Sequence, residues 1–159
     1  ELHKLHIGWG LAAYNFDLYK ESKDSAAPAL LPHKTIDKQS VLANIKAINT
    51  LKTLINTPAN DCGPDELEAF TKELAKDFDA KVKIVKDEQL LTKNFPLIYT
   101  VGKASPRRPR LIELQWGKAT DPKVTLVGKG VCFDTGGLDI KPSQYMRHMK
   151  RILGAPHMP

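Results

Sequence analysis

The chain has 159 residues, 42% of them hydrophobic and 26% charged, which allows at most one domain with a real core and is ordinary for a soluble globular protein. No apolar run approaches the roughly 18 residues that a membrane span needs, so no membrane role is expected. The formal charge of +6 comes mostly from scattered lysines. Only Arg107-Arg108-Pro109-Arg110 forms a tight cluster, so a solvated face is expected and nucleic acid is not an expected partner.

The first residues, Glu1-Leu2-His3-Lys4-Leu5-His6, show no charged-then-apolar leader. The absence of an initial Met reads as a processed or cut product. Residues 7–20 read as a short amphipathic helix, with Trp9, Ala12, Ala13, Phe16 and Tyr19 spaced for one face. Residues 21–33 carry Ser22, Ser25, Pro28 and Pro32 without a sustained period and read as a linker. Asp37 is a candidate N-cap for a helix whose apolar stripe is Val41, Leu42, Ile45, Ile48, Leu51 and Ile55. Asn56-Thr57-Pro58 should end it, because the residue before proline is pushed out of the helical region. Gly63-Pro64 opens a further helix, with Asp65 and Glu66 in its first turn and Leu67, Phe70 and Leu74 inside. Residues 81–85 alternate and predict a strand, and residues 87–93 a short helix. Three more strands are expected at residues 97–101, 111–116 and 123–127. This alternation predicts an α/β fold with a mixed sheet flanked by helices.

The run Val127-Gly128-Lys129-Gly130-Val131-Cys132-Phe133-Asp134-Thr135-Gly136-Gly137-Leu138-Asp139-Ile140-Lys141-Pro142 carries the chemistry. It reads as strand–loop–strand directly after an apolar strand. Charges crowded at a strand end are costly unless paired, metal-bound or catalytic. Glycines let the backbone turn and approach a ligand closely. A phosphate loop is excluded, since Gly130 stands where Ser or Thr should follow Lys129. A structural hairpin around Gly136-Gly137 is the other reading of the spacing. Cys132 reads as a small buried residue, because no nearby His is placed to activate it. With Cys62 it makes too few cysteines for a disulfide framework, which points to reduced thiols and the cytoplasm.

That run resembles the metal-binding signature of the leucyl aminopeptidases, or cytosol aminopeptidases. Trp9-Gly10-Leu11-Ala12-Ala13-Tyr14-Asn15-Phe16-Asp17-Leu18-Tyr19-Lys20, Asn56-Thr57-Pro58-Ala59-Asn60, Val101-Gly102-Lys103-Ala104-Ser105 and Pro109-Arg110-Leu111-Ile112 are similar to further family segments. The resemblance implies that residues 1–33 are the end of an N-terminal domain and a linker. Residues 34–159 would be the first half of an aminopeptidase catalytic domain. It also implies two divalent metals, manganese or zinc, bound by Lys129 and Asp134, with Lys141 catalytic. Asp134 would bridge the metals. The Lys129 amine must give up a proton to bind, and a charged Lys141 would stabilise an oxyanion. Asp139 is expected to be a solvated or supporting carboxylate. Peptides are the implied substrate, and the intact family implies a homo-oligomer.

The pattern then breaks. Met146, Met149 and Lys150 keep the family spacing, but Ile152 stands at an aspartate position that is a metal ligand in the family. The family's later Asn-Thr-Asp-Ala-Glu-Gly-Arg signature is absent. A single-nucleotide deletion in codons for Lys-Lys-Asp-Ile-Gly-Gly-Ala-Pro-His-Ala yields the residues from Lys150 to Pro159, so a frameshift is one expected cause. It would make His157 incidental, and His148 reads as a surface residue. The expectation is a truncated metal-dependent leucyl-type aminopeptidase, inactive alone. The alternative is a non-catalytic binding or oligomer-assembly module derived from it.

Overall fold

The computed structural model describes residues 1–21 and 29–149. The chain divides into one unit over Glu1–Thr57 and a second that begins at Pro58.

The first unit is two packed helices, α1 (Leu2–Ala12) and α2 (Lys38–Asn56). The Asp37 carboxylate accepts hydrogen bonds from Gln39 N at 3.0 Å and Ser40 N at 3.2 Å, satisfying two free amides at the start of α2. Thr57 at the other end is extended, as a residue before proline must be. A Cβ on Gly10 would lie 2.2 Å from Ile45 Cδ1, so glycine is what lets α1 come this close to α2. Tyr14 Oη, hydrogen-bonded to Thr53 Oγ1 at 3.1 Å, and Lys52 Nζ, donating to Leu11 O at 3.1 Å, tie the end of α1 to α2.

The helix expected over residues 7–20 lies earlier. Past Ala13 the chain takes its bonds locally: Phe16 N donates to Asn15 Oδ1 and Lys20 N to Asp17 O. The first of these is a side-chain bond, by which a short Asn competes with helical bonding, and the second is a backbone turn. Part of the expected linker, residues 22–28, lies outside the described residues.

The second unit runs α3 (Pro64–Asp77), β1 (Lys81–Lys86), α4 (Gln89–Thr92), α5 (Pro96–Gly102), β2 (Arg110–Gln115) and α6 (Ser143–Met146). The expected α/β class holds. β1 and β2 form a two-stranded antiparallel sheet, with Val82 opposite Leu114 and Ile84 opposite Ile112. α3 packs on both strands. Ala75, Val85 and Leu90 are buried here.

Two expected strands are absent. Residues 97–101 lie in α5: Pro96 sits in its first turn, where a missing N–H costs nothing and φ is already helical. Gly102 then turns against Pro109, whose Cβ would be 2.5 Å from a Cβ added at Gly102. Residues 123–127 form no ladder, because β1 and β2 pair only with each other among the described residues. Leu126 and Val127 are 91% and 92% exposed, so neither face of this run is covered as a buried strand's would be. The run from Val127 to Pro142 is therefore irregular chain with a turn rather than strand–loop–strand. No strand flanks Gly136-Gly137, so the hairpin reading fails as well.

Candidate functional site

The loop before α6 folds back on Asp134. Gly136 N donates to Asp134 Oδ1 at 2.8 Å, and Lys141 N donates to Thr135 O at 2.8 Å. Gly136 has φ +96°, and a Cβ there would lie 2.3 Å from Asp139 O, so this turn requires glycine. The turn carries the Lys141 ammonium to Asp134, 2.7 Å from Oδ2 and 3.2 Å from the backbone O. The Lys141 bond and the Gly136 amide hold the Asp134 carboxyl below the usual carboxylate range, with the Lys129 charge adding to the effect. Lys129 is exposed and lines, with Leu67, Ile98 and Leu111, a cleft of about 570 Å³.

The structure thus brings Asp134 and Lys141 into contact and leaves Lys129 near enough to act through charge. No group of three or more His, Cys, Asp or Glu side chains is arranged to hold a metal ion among the described residues. Asp139 and His148 are exposed. The positions of Ile152 and His157, and the frameshift reading of the tail, lie outside the described residues.

Sequence reasoning missed the role of the arginine cluster. Arg107 Nη1 donates to Ala59 O at 2.8 Å and Asn60 O at 3.1 Å, and its other amine binds the Glu66 carboxylate. Glu66 also accepts from Gly63 N at 2.8 Å; that bond and Arg107 hold its carboxyl low. Arg110, its side chain 5% exposed, binds Glu68 and reaches Asp65 at 2.6 Å. Arg108 pairs with Asp87 at 3.6 Å. All three arginines face carboxylates of their own unit. The usable signal was three carboxylates within the first five residues of α3, which need counter-charges once that helix packs.

Cys132 is half-buried, and its thiol is pushed up to about 11 by desolvation and the neighbouring Cys62. Burial also raises Cys62. Both thiols are free, and a thiol this basic is a poor nucleophile at neutral pH, in line with a packing role.

The sequence matches the description "Cytosol aminopeptidase family, catalytic domain" over residues 49–156. A probable cytosol aminopeptidase of Sinorhizobium medicae is 37% identical over 163 aligned residues, covering 93% of this chain and 33% of the relative. Among solved structures, the cytosol aminopeptidase of Coxiella burnetii is 44% identical with TM-score 0.83, over 96% of this chain and 33% of that one. The bottromycin maturation enzyme BotP, solved in complex with Mn, is 28% identical with TM-score 0.81, over 96% of this chain and 33% of its own. The chain spans about a third of the length of the relatives it matches.

Proposed function

We infer the function of this chain from one premise: it belongs to the cytosol aminopeptidase family, over that family's catalytic domain. The activity proposed is metal-dependent removal of N-terminal residues from peptides, in the cytoplasm, by a homo-oligomeric enzyme of the relatives' full length. Residues 1–33 are assigned to the end of an N-terminal domain and a linker, and residues 34–159 to the N-terminal half of the catalytic domain. The family match over residues 49–156 lies inside the second of these.

The observation that carries the reading is the loop itself. Within one glycine-rich segment, Asp134 holds a positive charge between its Oδ2 and its backbone O, and Lys129 acts on the same carboxylate. Two oxygens that already hold an ammonium would form part of a site for a divalent cation, manganese or zinc. Such a cation, when bound, polarises a peptide carbonyl and acidifies a bound water. Asp134 would supply bridging oxygens, and Lys129 a neutral amine nitrogen. Lys141 would keep its charge and turn it to the oxygen that becomes negative during attack. One carboxylate and one amine do not close a coordination shell, so no step is assigned to this chain alone.

The direct test is a chimera in which residues 1–159 replace the matching third of the Coxiella burnetii enzyme. It should hydrolyse leucine anilide with added manganese. Asp134→Ala and Lys141→Ala should each lower kcat at least about 100-fold without shifting thermal unfolding. Unchanged turnover in both variants would remove the assignment. The 159-residue chain by itself should show no turnover with either metal, and robust metal-dependent hydrolysis abolished by Asp134→Ala would contradict this.

A second reading, a non-catalytic binding or assembly module, is favoured by one observation: Val124, Leu126, Val127, Leu138 and Ile140 lie exposed along the segment that carries the motif.

A further inference from the structure

We propose that Cys62 and Cys132 are a dithiol site, which a low-molecular-weight disulfide such as oxidised glutathione converts to an intramolecular disulfide. The link fastens the motif segment to the start of α3. It requires neither a metal nor the aminopeptidase reading.

The two cysteines stand on facing segments of the second unit. Cys62 immediately precedes Gly63, the N-cap of α3, and Gly63 lines the same cleft as Cys132. A smaller cavity is lined by Ala59, Asn60 and Phe133, so the residues before α3 and the motif segment meet there as well. Arg107 lines both spaces, and its guanidinium would collide with a Cβ added at Gly63. One turn further along, Leu67 Cδ1 lies 3.7 Å from a Cβ added at Gly130, so α3 continues to run beside the segment that carries Cys132. Electrostatics agree with this placement. Glu66 and Arg107 act on both thiols, and the charge of Cys62 acts on Cys132. Coulomb effects fall with distance, so groups that sense the same two charges and each other are neighbours.

The local structure leaves room for closure. A disulfide needs Cα atoms about 4.4–6.8 Å apart. The motif segment joins no ladder among the described residues, so a small shift toward α3 breaks no strand pairing. Cys132 Sγ donates only a weak bond, to Gly130 O at 3.5 Å, which rotation about its side chain gives up at little cost.

Exposure sets the order of events. Cys62 is 3% exposed, whereas Cys132 is half-buried and lines the open cleft. Cys132 therefore meets the oxidant first. Its thiolate attacks one sulfur of glutathione disulfide, that S–S bond breaks, and one glutathione leaves. Cys62 then attacks the Cys132 sulfur and expels the second glutathione. Two protein thiols and one glutathione disulfide become one protein disulfide and two glutathione thiols, which carry away both protons. The first step is slow because the Cys132 thiol is basic, so the reduced pair survives brief exposure to oxidant. The second is intramolecular and outruns attack by another glutathione.

The test incubates the dilute 159-residue chain with oxidised glutathione in mildly alkaline buffer and blocks residual thiols with N-ethylmaleimide. Intact mass and a non-reducing peptide map are then read. The unaltered chain should lose the mass of two hydrogens, yield a peptide pair joined through Cys62 and Cys132, and return to its starting mass with a thiol reductant. Cys62→Ser should stop at a glutathione adduct on Cys132. In Cys132→Ser, the buried Cys62 should react at least about tenfold more slowly than Cys132 does in Cys62→Ser. Circular dichroism on both variants confirms the fold. In concentrated urea the linked product should fall at least about fivefold relative to glutathione adducts. Glutathione adducts on the unaltered chain without the link, disulfide-joined dimers in its place, or no reaction at all would overturn the proposal. A link that forms as readily in urea would overturn it too, because the folded geometry would not be what directs it. Equal rates in the two serine variants would overturn Cys132 as the point of entry.

Discussion

Glu68 sits buried in the second unit with Lys72 at 2.6 Å on one side and Arg110 on the other. These bonds hold its carboxyl below the usual range against the opposing pull of desolvation. A buried charge stripped of one partner is far more costly than the intact pair is favourable. Arg110→Ala should therefore cost about 3 kcal/mol, read as a lower urea midpoint. The pH dependence has a fixed sign. A carboxyl depressed in the folded state binds fewer protons there than in the unfolded chain, so stability is full above the ordinary glutamate value of about 4.3 and falls as pH drops below it. Glu68→Gln should flatten that acid limb, and an unchanged limb would show that other carboxylates set it. The thiols provide a second check on the same unit. With Cys132 raised to about 11, iodoacetamide should modify it slowly at pH 8 and progressively faster toward pH 11. Rapid alkylation at pH 7 would contradict its environment.

At the scale of elements, what was legible in the sequence was what local chemistry decides. Asp37 caps α2, Pro64 opens α3 and the 81–85 alternation forms β1, because each is set by residues within a turn or two of itself. Residues 97–101 and 123–127 were misread because an apolar β-branched run leaves its state to whatever it packs against. Pro96 and the Gly102–Pro109 contact turned the first into α5, and the second has no partner strand among the described residues. The motif loop was legible as a run of residues that includes Asp134 and Lys141. Its ion pair was not, because the closure from Asp134 to Lys141 depends on the positive φ of Gly136. That dependence is testable. Gly136→Ala must adopt an unfavourable φ and drive its Cβ into Asp139 O, so it should cost about 1–3 kcal/mol locally. Hydrogen exchange should speed up over residues 134–142 and stay unchanged in β1 and β2. Unaltered protection of the loop would show that glycine is not what shapes it.

For the whole molecule, the decisive property is apolar surface without a covering layer. Val124, Leu126 and Val127 lie 80% or more exposed in one run, and Leu138 and Ile140 follow beyond the motif. Isolated exposed apolar residues are common on any protein, but a contiguous apolar run with no partner strand among the described residues is a template for pairing. The net charge of +6 gives some protection through self-repulsion, which salt screens. The 159-residue chain should therefore self-associate at micromolar concentration, more so as salt is raised, and bind a hydrophobic dye. Replacing Leu126→Lys together with Val127→Glu should yield a monomer in multi-angle light scattering. It should do so with little change in thermal midpoint, because neither side chain contributes to the core. The direction with salt separates the causes: ion-pair assembly would weaken as salt rises, whereas apolar assembly strengthens. A monodisperse monomer of the unaltered chain, without dye binding at high salt, would mean that this run is covered in solution, and the assembly reading would lose its only support.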